Sequence, residues 1–339
     1  MNKVSMFYSN QKPVDDIDVS VPCIVFLSGL RSDTPKGLSK HCLNKIDIML
    51  RDLGVCANVC GNIHDLSLIN DKLADKLNDI NDKFFPKCKN VFVFGFQLFV
   101  PGFFKRYVKC MFEKIILPRI VDKDGKALPT DVIKKNLRNV VFFVHCYGAK
   151  IFFYMDKMLT QKLIELNYSS DQVNEIQKQM VVIAESPSWM FNNLKSTFVN
   201  FISLADKTLP YDKLYESNCY VNFIEEYNIV ATQSMYKHRK LFNKNIEHIM
   251  WSLVEQSSMT EQGKQTINIL KTVFYRALTL PYIENVQSLL KNCEIEKNIK
   301  QQPMLKIIEK IPTVKMKNFV FVTMALMNRV LNKSGTTCR

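Results

Sequence analysis

Residues 140–150, V-V-F-F-V-H-C-Y-G-A-K, decide the fold of this protein. They open with a continuous run of valine and phenylalanine, which is typical of a strand buried on both faces. Cys146 lies just beyond that run, and the small residues Gly148 and Ala149 follow it. From Lys150 onward the apolar residues have helical spacing. The stretch therefore predicts a buried strand, a tight turn that carries Cys146, and a helix.

The rest of the chain alternates between strand-like and helical segments. Further strands are predicted at residues 23–27, 55–60, 91–96, 180–184 and 220–224, and helices at residues 37–53, 65–84, 103–117 and 150–166. Apolar strands separated by helices predict an α/β fold, in which a mainly parallel central sheet has helices on both faces. Amphipathic segments at residues 267–278 and 319–331 predict a helical C-terminal extension.

The charge of the chain favours anionic partners. Its 339 residues have a formal net charge of +14, and residues 291–339 contain ten Lys and Arg against three Glu. Such a surface suits an acidic protein or an anionic membrane, or it is a lysine-rich solvated surface without a partner. Neither zinc-finger spacing nor an aromatic RNA-binding motif occurs in the sequence, which disfavours nucleic acid.

The ten cysteines are scattered, and several lie inside apolar runs. This pattern is typical of reduced thiols in a reducing compartment rather than of a disulfide framework. Cys56, Cys60 and His64 have C-x3-C-x3-H spacing, but the sequence offers no evident fourth ligand for zinc. We therefore expect neither a metal nor a cofactor.

The amino terminus does not resemble a secretory signal. Asp15, Asp16 and Asp18 fall within the first 20 residues, which have no long apolar core. The longest apolar stretch, residues 91–104, is too short and too interrupted to span a bilayer as a helix. A cytoplasmic location is expected, with delivery by a route that needs no cleaved signal left open.

The layout of residues 141–149 resembles the nucleophile elbow of the α/β-hydrolase superfamily, written G-x-S-x-G. Cys146 stands in place of the serine, Gly148 and Ala149 provide the small residues, and Val144 replaces the first glycine. The resemblance implies an α/β-hydrolase-like domain with Cys146 as a nucleophile at a helix amino terminus. The alternative is that Cys146 is a buried structural thiol.

Residues 24–30, I-V-F-L-S-G-L, resemble the oxyanion strand of the same superfamily. The resemblance implies that the backbone N–H groups of Leu30 and Tyr147 would hold the oxyanion. The family order also places the catalytic histidine after the nucleophile. His248 is the choice for general base, because His238 is surrounded by basic residues typical of a solvated face.

The residue that would orient this histidine is left open. Residues 219–230 resemble the strand that precedes the acid of the family, which favours Glu226, followed by Asn228. Glu225 and Glu185 are the remaining candidates. An asparagine suits this role beside a cysteine, because a thiol needs less help than a hydroxyl to form its anion.

The resemblance also implies a domain organisation. Residues 1–255 are predicted to form the hydrolase-like domain, with a helical insertion around residues 188–214, and residues 256–339 a basic helical C-terminal region. The insertion is where the family often places a lid. Its larger apolar side chains would line an acyl pocket or belong to the core; they are Trp189, Met190, Phe191, Phe198 and Phe201.

Two functions follow from these observations. The first is a cysteine-nucleophile hydrolase or acyltransferase acting on a small acyl or lipid-like substrate, such as a thioester, ester or amide. The second is a catalytically inactive hydrolase fold that binds an acidic partner or an anionic membrane through its basic C-terminal region.

Overall fold

The computed structural model describes residues 6–10, 14, 17–27, 38–62, 101–187, 194–203, 219–224, 261–280, 286–293 and 295–297. These residues form an eight-stranded sheet with helices on both faces. The predicted α/β fold is therefore confirmed. Within the described part, no helix combines the length and apolar character needed to cross a bilayer.

The strands pair in the order β1-β3-β2-β4-β5-β6-β7-β8. Neighbours from β3 to β7 pair in parallel, and the two edge strands pair antiparallel. The strands are β1 (Met6–Tyr8), β2 (Cys23–Leu27), β3 (Asn58–Asn62), β4 (Val140–His145), β5 (Val181–Glu185), β6 (Thr197–Ser203), β7 (Cys219–Ile224) and β8 (Glu296–Lys297).

Seven helices in the described part cover the two faces. They are α1 (Leu38–Asp52), α2 (Pro101–Ile115), α3 (Thr130–Arg138), α4 (Gly148–Glu165), α5 (Ser170–Gln177), α6 (Glu261–Thr279) and α7 (Val286–Leu290). Helices α2 to α5 pack on the face that contains Phe142, whereas α1, α6 and α7 pack on the face that contains Phe143. Because successive strand residues point to opposite faces, the apolar run of β4 contributes to both cores.

Strands β2 and β4 are neighbours whose following helices pack on opposite faces of the sheet. Helix α1, after β2, packs on the Phe143 face, and α4, after β4, packs on the Phe142 face. In an open parallel sheet this reversal creates a crevice at the carboxyl ends of the two strands, where ligands bind in α/β proteins. The turn that carries Cys146 lies at this switch point, because it follows β4 directly.

Residues 197–203 form strand β6, which lies between β5 and β7. The sequence had predicted a helical insertion around residues 188–214, and this prediction is wrong for residues 197–203. Phe198 and Phe201 are buried in the cores of opposite faces, so they are core residues and do not line a common pocket. The polar residue Asn200 interrupts the apolar run of β6, so the sequence does not show the pattern of a buried strand. Asn200 is nevertheless fully buried.

Other differences are smaller. The sequence did not predict the helices α3, α5 and α7 or the short edge strands β1 and β8. Helix α2 ends at Ile115 and is followed by the 3-10 turn Leu117–Arg119. The segments expected at residues 65–84, 91–96 and 319–331 lie outside the described residues.

Candidate functional site

Cys146 occupies a strained position between β4 and α4. Its φ is 55°, in the left-handed region that residues other than glycine seldom adopt. Such a conformation costs about 1–2 kcal/mol and persists where the surrounding structure imposes it. Only Cys146 and Tyr147 separate the end of β4 from the first residue of α4. The predicted tight turn is therefore present, and the thiol-bearing residue is the one that turns the chain.

Gly148 allows α4 to begin against the end of β2. A Cβ at this position would lie 2.0 Å from the carbonyl oxygen of Leu27, well inside van der Waals contact with backbone that cannot move aside easily. The expectation that a small residue lets strand and helix approach closely is confirmed. The approach also brings the turn at Cys146 next to the carboxyl end of β2.

Ser186 forms a second left-handed turn beside the first. Its φ is 45°, and its carbonyl oxygen accepts a hydrogen bond from the backbone N–H of Cys146 at 3.2 Å. The N–H of Ser186 donates in turn to the carbonyl oxygen of Phe201 at 3.0 Å. Ser186 was not among the predicted site residues, although the dipeptide Ser186-Pro187 at the end of a predicted strand is a turn signal.

Glu185 is the one candidate for the orienting acid that lies among the described residues. It is fully buried and stands opposite His145 in the β4–β5 register. Burial and the Glu185 carboxylate raise the pKa of the Cys42 thiol on α1, which indicates that Glu185 lies near the α1 side of the sheet. The structure thus brings Cys146, Tyr147 and Glu185 to the carboxyl edge of neighbouring strands. Leu30, Glu225, Glu226, Asn228, His238 and His248 lie outside the described residues.

The amino end of α4 sets the electrostatics around Cys146. The first N–H groups of a helix lack intrahelical acceptors and carry partial positive charge, which favours a thiolate or an oxyanion nearby. Tyr147 is buried. Its burial, and to a smaller extent the charge of Cys146, raises the pKa of its phenol. One turn further along, burial lowers the pKa of Lys150 to about 8, and its Nζ lies 4.6 Å from the ring centroid of Phe104.

A cleft of about 330 Å³ lies elsewhere, at the β1–β3 edge. Its lining residues are Tyr8, Ser9, Asn10, Asp47, Ala57, Asn58 and Val59. Asn58 is the first residue of β3, so the cleft is at the amino end of that strand, whereas Cys146 follows the carboxyl end of β4. Ligand sites of parallel sheets lie at the carboxyl ends, so the turn at Cys146 is the stronger candidate.

The described part contains no cluster of three or more His, Cys, Asp or Glu side chains arranged to hold a metal ion. Cys56 and Cys60 of the C-x3-C-x3-H segment are described, and His64 is not. The fold and the turn define an α/β protein with a strained cysteine at its topological switch point. No protein-family model and no curated protein matches this chain.

Proposed function

We propose that this protein is a cysteine-nucleophile enzyme of the α/β-hydrolase type that acts on an acyl substrate. The substrate would be a thioester, ester or amide, with water or another nucleophile as the acyl acceptor. The left-handed backbone of Cys146 at the switch point between β2 and β4 carries the proposal. A non-glycine residue is strained there, and such strain is concentrated at functional sites.

The surroundings of the turn support this role. The close approach of α4 to Leu27 places the amino end of a long helix at the switch point, directly after Cys146 and Tyr147. Partial positive charge at that end stabilises a thiolate before attack and the oxyanion after it. A cysteine also remains an effective nucleophile where the orienting acid is weak or absent.

In the proposed reaction the Cys146 sulfur attacks the acyl carbon, and His248 accepts the thiol proton. The N–H groups of Tyr147 and Leu30 stabilise the tetrahedral oxyanion. The N–H of Cys146 itself already donates to Ser186, so it is not counted as an oxyanion donor. His248 then protonates the leaving group, and water activated by the same imidazole releases the acid and restores the thiol.

Glu226 remains the first choice for orienting His248, with Asn228, Glu225 and Glu185 as alternatives. The strand order adds Asp206, which follows the end of β6 by three residues and lies outside the described residues. The carboxyl ends of parallel strands meet at one edge of a sheet, so the segment after β6 leaves from the same edge as Cys146.

The test is labelling and turnover with a panel of activated acyl thioesters, esters and amides. Wild type should form a covalent acyl adduct at Cys146, and Cys146→Ala should lose both adduct and turnover. Cys56→Ala is the matched control, because Cys56 is an exposed thiol in the described part. Absence of an adduct at Cys146 with every acyl class would remove the proposal.

The partners of Cys146 are tested in the same assay. His248→Ala should abolish turnover, whereas His238→Ala should retain it. Among Glu226→Gln, Asn228→Ala, Glu185→Gln and Asp206→Asn, the orienting residue is identified by a loss of kcat with an altered pH profile. Full activity of His248→Ala would exclude His248 as the base.

The second function, a binding protein without catalysis, is favoured by the burial of Cys146, whose side chain is 5% exposed. It predicts binding to vesicles that contain anionic lipid, lost when Lys306, Lys310, Lys315 and Lys317 are replaced by glutamine. Charge replacement is preferable to truncation near residue 256, because α6 belongs to the core. Equal sedimentation with neutral and anionic vesicles would exclude the membrane form of this function.

A further inference from the structure

Two buried cysteines approach each other on neighbouring strands, remote in the sheet from the turn at Cys146. Cys23 is the first residue of β2, and Cys60 is the third residue of β3. In the parallel register Cys60 stands opposite Val25, so the two cysteines are offset by two residues. Their sulfur atoms lie 3.6 Å apart, within reach of a sulfur hydrogen bond, and both side chains are completely buried.

A buried arginine lies in the same region of the core. Arg119 ends the 3-10 turn after α2 and is 0% exposed. Its Nη1 donates to the carbonyl oxygen of Ile115, whereas its Nε and Nη2 have no hydrogen-bond partner among the residues that the structure describes. A guanidinium stays protonated in proteins, and a buried charge without compensation costs several kcal/mol. The arrangement therefore calls for a nearby anion.

Among the described residues, Arg119 interacts electrostatically with the thiols of Cys23 and Cys60 and with the carboxylate of Asp18. Asp18 is exposed and accepts hydrogen bonds from Ser20, so the two thiols are the buried members of this described set. A thiolate there would place a negative charge in the core beside the positive one. The positive charge would then have a partner that needs no water.

The hydrogen bond between the two sulfur atoms shifts the pKa values of the two thiols in opposite directions. The hydrogen bond from Cys60 lowers the pKa of Cys23, with a further lowering from Arg119, and these effects outweigh burial. The same contact and burial raise the pKa of Cys60. Cys23 is thus the member that ionises first, and Cys60 keeps its proton as the donor.

We propose that Cys23 and Cys60, whose sulfur atoms lie 3.6 Å apart, form an oxidation site in which a hydroperoxide converts the two thiols into a Cys23–Cys60 disulfide, with the charge of Arg119 favouring the Cys23 thiolate. The Cys23 sulfur attacks a peroxide oxygen, the O–O bond breaks, and the leaving hydroxide or alkoxide takes a proton. The Cys60 sulfur then attacks the Cys23 sulfenic acid, the S–O bond breaks, and water leaves with the proton of Cys60. The two thiols lose two electrons, and the peroxide gains them.

Access to the pair requires local opening at the sheet edge. The edge strand β1 has three residues, and Tyr8 pairs directly with Cys60. Met6, Val14 and Ile17 belong to the same buried cluster as the two cysteines. A three-residue edge strand opens at low free energy, and the sulfurs must close from 3.6 Å to a bond of about 2.05 Å. Oxidation is therefore expected to be slow and to accelerate in mild denaturant.

Cys42 provides an internal control of equal burial. It is 0% exposed on α1, but its largest charged influence is the Glu185 carboxylate. Burial and that carboxylate raise its pKa, so it remains a protonated thiol, which is the unreactive form. Burial alone would protect Cys42 and the Cys23–Cys60 pair equally, whereas the arginine and the short edge strand distinguish the pair.

The test treats the full chain with hydrogen peroxide at neutral pH, blocks remaining thiols by alkylation and maps every cysteine by mass spectrometry. Cys23 and Cys60 should disappear together from the alkylated pool and reappear in one cross-linked peptide, while Cys42 stays reduced. In Cys60→Ser the reaction should stop at the sulfenic acid, which dimedone traps on Cys23.

Two variants of Arg119 test whether its positive charge promotes oxidation of Cys23. Arg119→Met should slow oxidation of Cys23 by up to about tenfold, because a smaller fraction of Cys23 is thiolate without the nearby positive charge. Arg119→Lys keeps a cation and should retain a rate closer to that of wild type. Oxidation of Cys23 no faster than that of Cys42, or absence of a dimedone adduct in Cys60→Ser, would overturn the proposal whether or not Arg119→Met folds. The outcome is independent of Cys146 and of the proposed acyl chemistry.

Discussion

The backbone N–H of Cys146 donates a hydrogen bond to the carbonyl oxygen of Ser186 at 3.2 Å, and both residues have positive φ, 55° and 45°. The two residues follow neighbouring parallel strands, so this bond extends the β4–β5 pairing one step beyond the strands. The N–H of Ser186 continues the ladder to Phe201 of β6. Three strands thus hold two strained turns in place, which is how such conformations persist.

Because the backbone at Cys146 is left-handed, we expect the usual stability order of alanine and glycine variants to be reversed at this position. Because alanine keeps the strain and glycine relieves it, Cys146→Gly should be more stable than Cys146→Ala by about 1 kcal/mol. At an ordinary helical position glycine is the less stable of the two by about 0.5–1 kcal/mol, so Ala149→Gly should destabilise the wild type by that amount. Urea unfolding of the three variants measures both differences. A Cys146→Ala variant as stable as Cys146→Gly would contradict the strained turn.

The contact of Gly148 with Leu27 predicts a large effect of a single methyl group. Gly148→Ala should lose more than about 3 kcal/mol of unfolding free energy, because its Cβ would overlap a backbone oxygen. Gly54→Ala is the matched control: its φ is 67° with no atom within 4 Å of the added Cβ, so strain acts there without a clash and the loss should be about 1 kcal/mol. Equal losses in the two variants would show that α4 does not approach β2 so closely.

The buried Lys150 predicts that removing a charge stabilises the protein. Burial lowers its pKa to about 8 from a usual value of 10.5, so the folded state disfavours the ammonium that is present at pH 7. Lys150→Met should gain up to about 3 kcal/mol at pH 7, reduced by the lost contact with Phe104.

The pH dependence of this gain is the diagnostic measurement. As pH rises from 8 toward 10.5, folded wild type loses its proton before the unfolded chain does, so wild type recovers stability and the gain should shrink. Lys157→Met, an exposed lysine on the same helix, is the control and should change stability little at either pH. A Lys150→Met variant that is less stable than wild type at pH 7 would contradict a net cost of burying this ammonium.

Asp156 predicts a second pH effect, in the acidic range. Burial raises its pKa to about 6, despite hydrogen bonds donated by Ser196 Oγ at 2.5 Å and Gln177 Nε2 at 3.1 Å. Between the unfolded value near 3.8 and about pH 6 the folded state holds a proton that the unfolded state has lost. This carboxyl therefore makes the protein less stable as pH rises through that window, by up to about 3 kcal/mol.

Thermal unfolding of wild type and Asp156→Asn at pH 5 and pH 7.5 measures this contribution. The stability of wild type relative to the variant should be greater at pH 5 than at pH 7.5, because only wild type carries the titrating group. Asp131→Asn, at an exposed position on α3, controls for the loss of one negative charge. A constant difference between wild type and Asp156→Asn at both pH values would rule out this titration.

Several strands and helices could be predicted from the sequence because their signals lie within short segments of the chain. The apolar runs that became β2, β4 and β5 contain no polar residue before their last position, so their burial on both faces was apparent. Helix α5 was missed although Ser169 and Gln172 form a capping box, a signal that the sequence contains at the expected spacing of three residues. Strand β6 was missed because burial of the polar Asn200 depends on tertiary surroundings.

The sequence by itself determined the strand, turn and helix around Cys146, since apolar periodicity and the small Gly148 act within a dozen residues. Only the tertiary structure decided that β2 lies beside β4, that Glu185 stands opposite His145, and that Cys23 meets Cys60. These contacts join residues far apart in the chain. Their geometry depends on strand order, register and the shared burial of both partners, and no local pattern encodes any of the three.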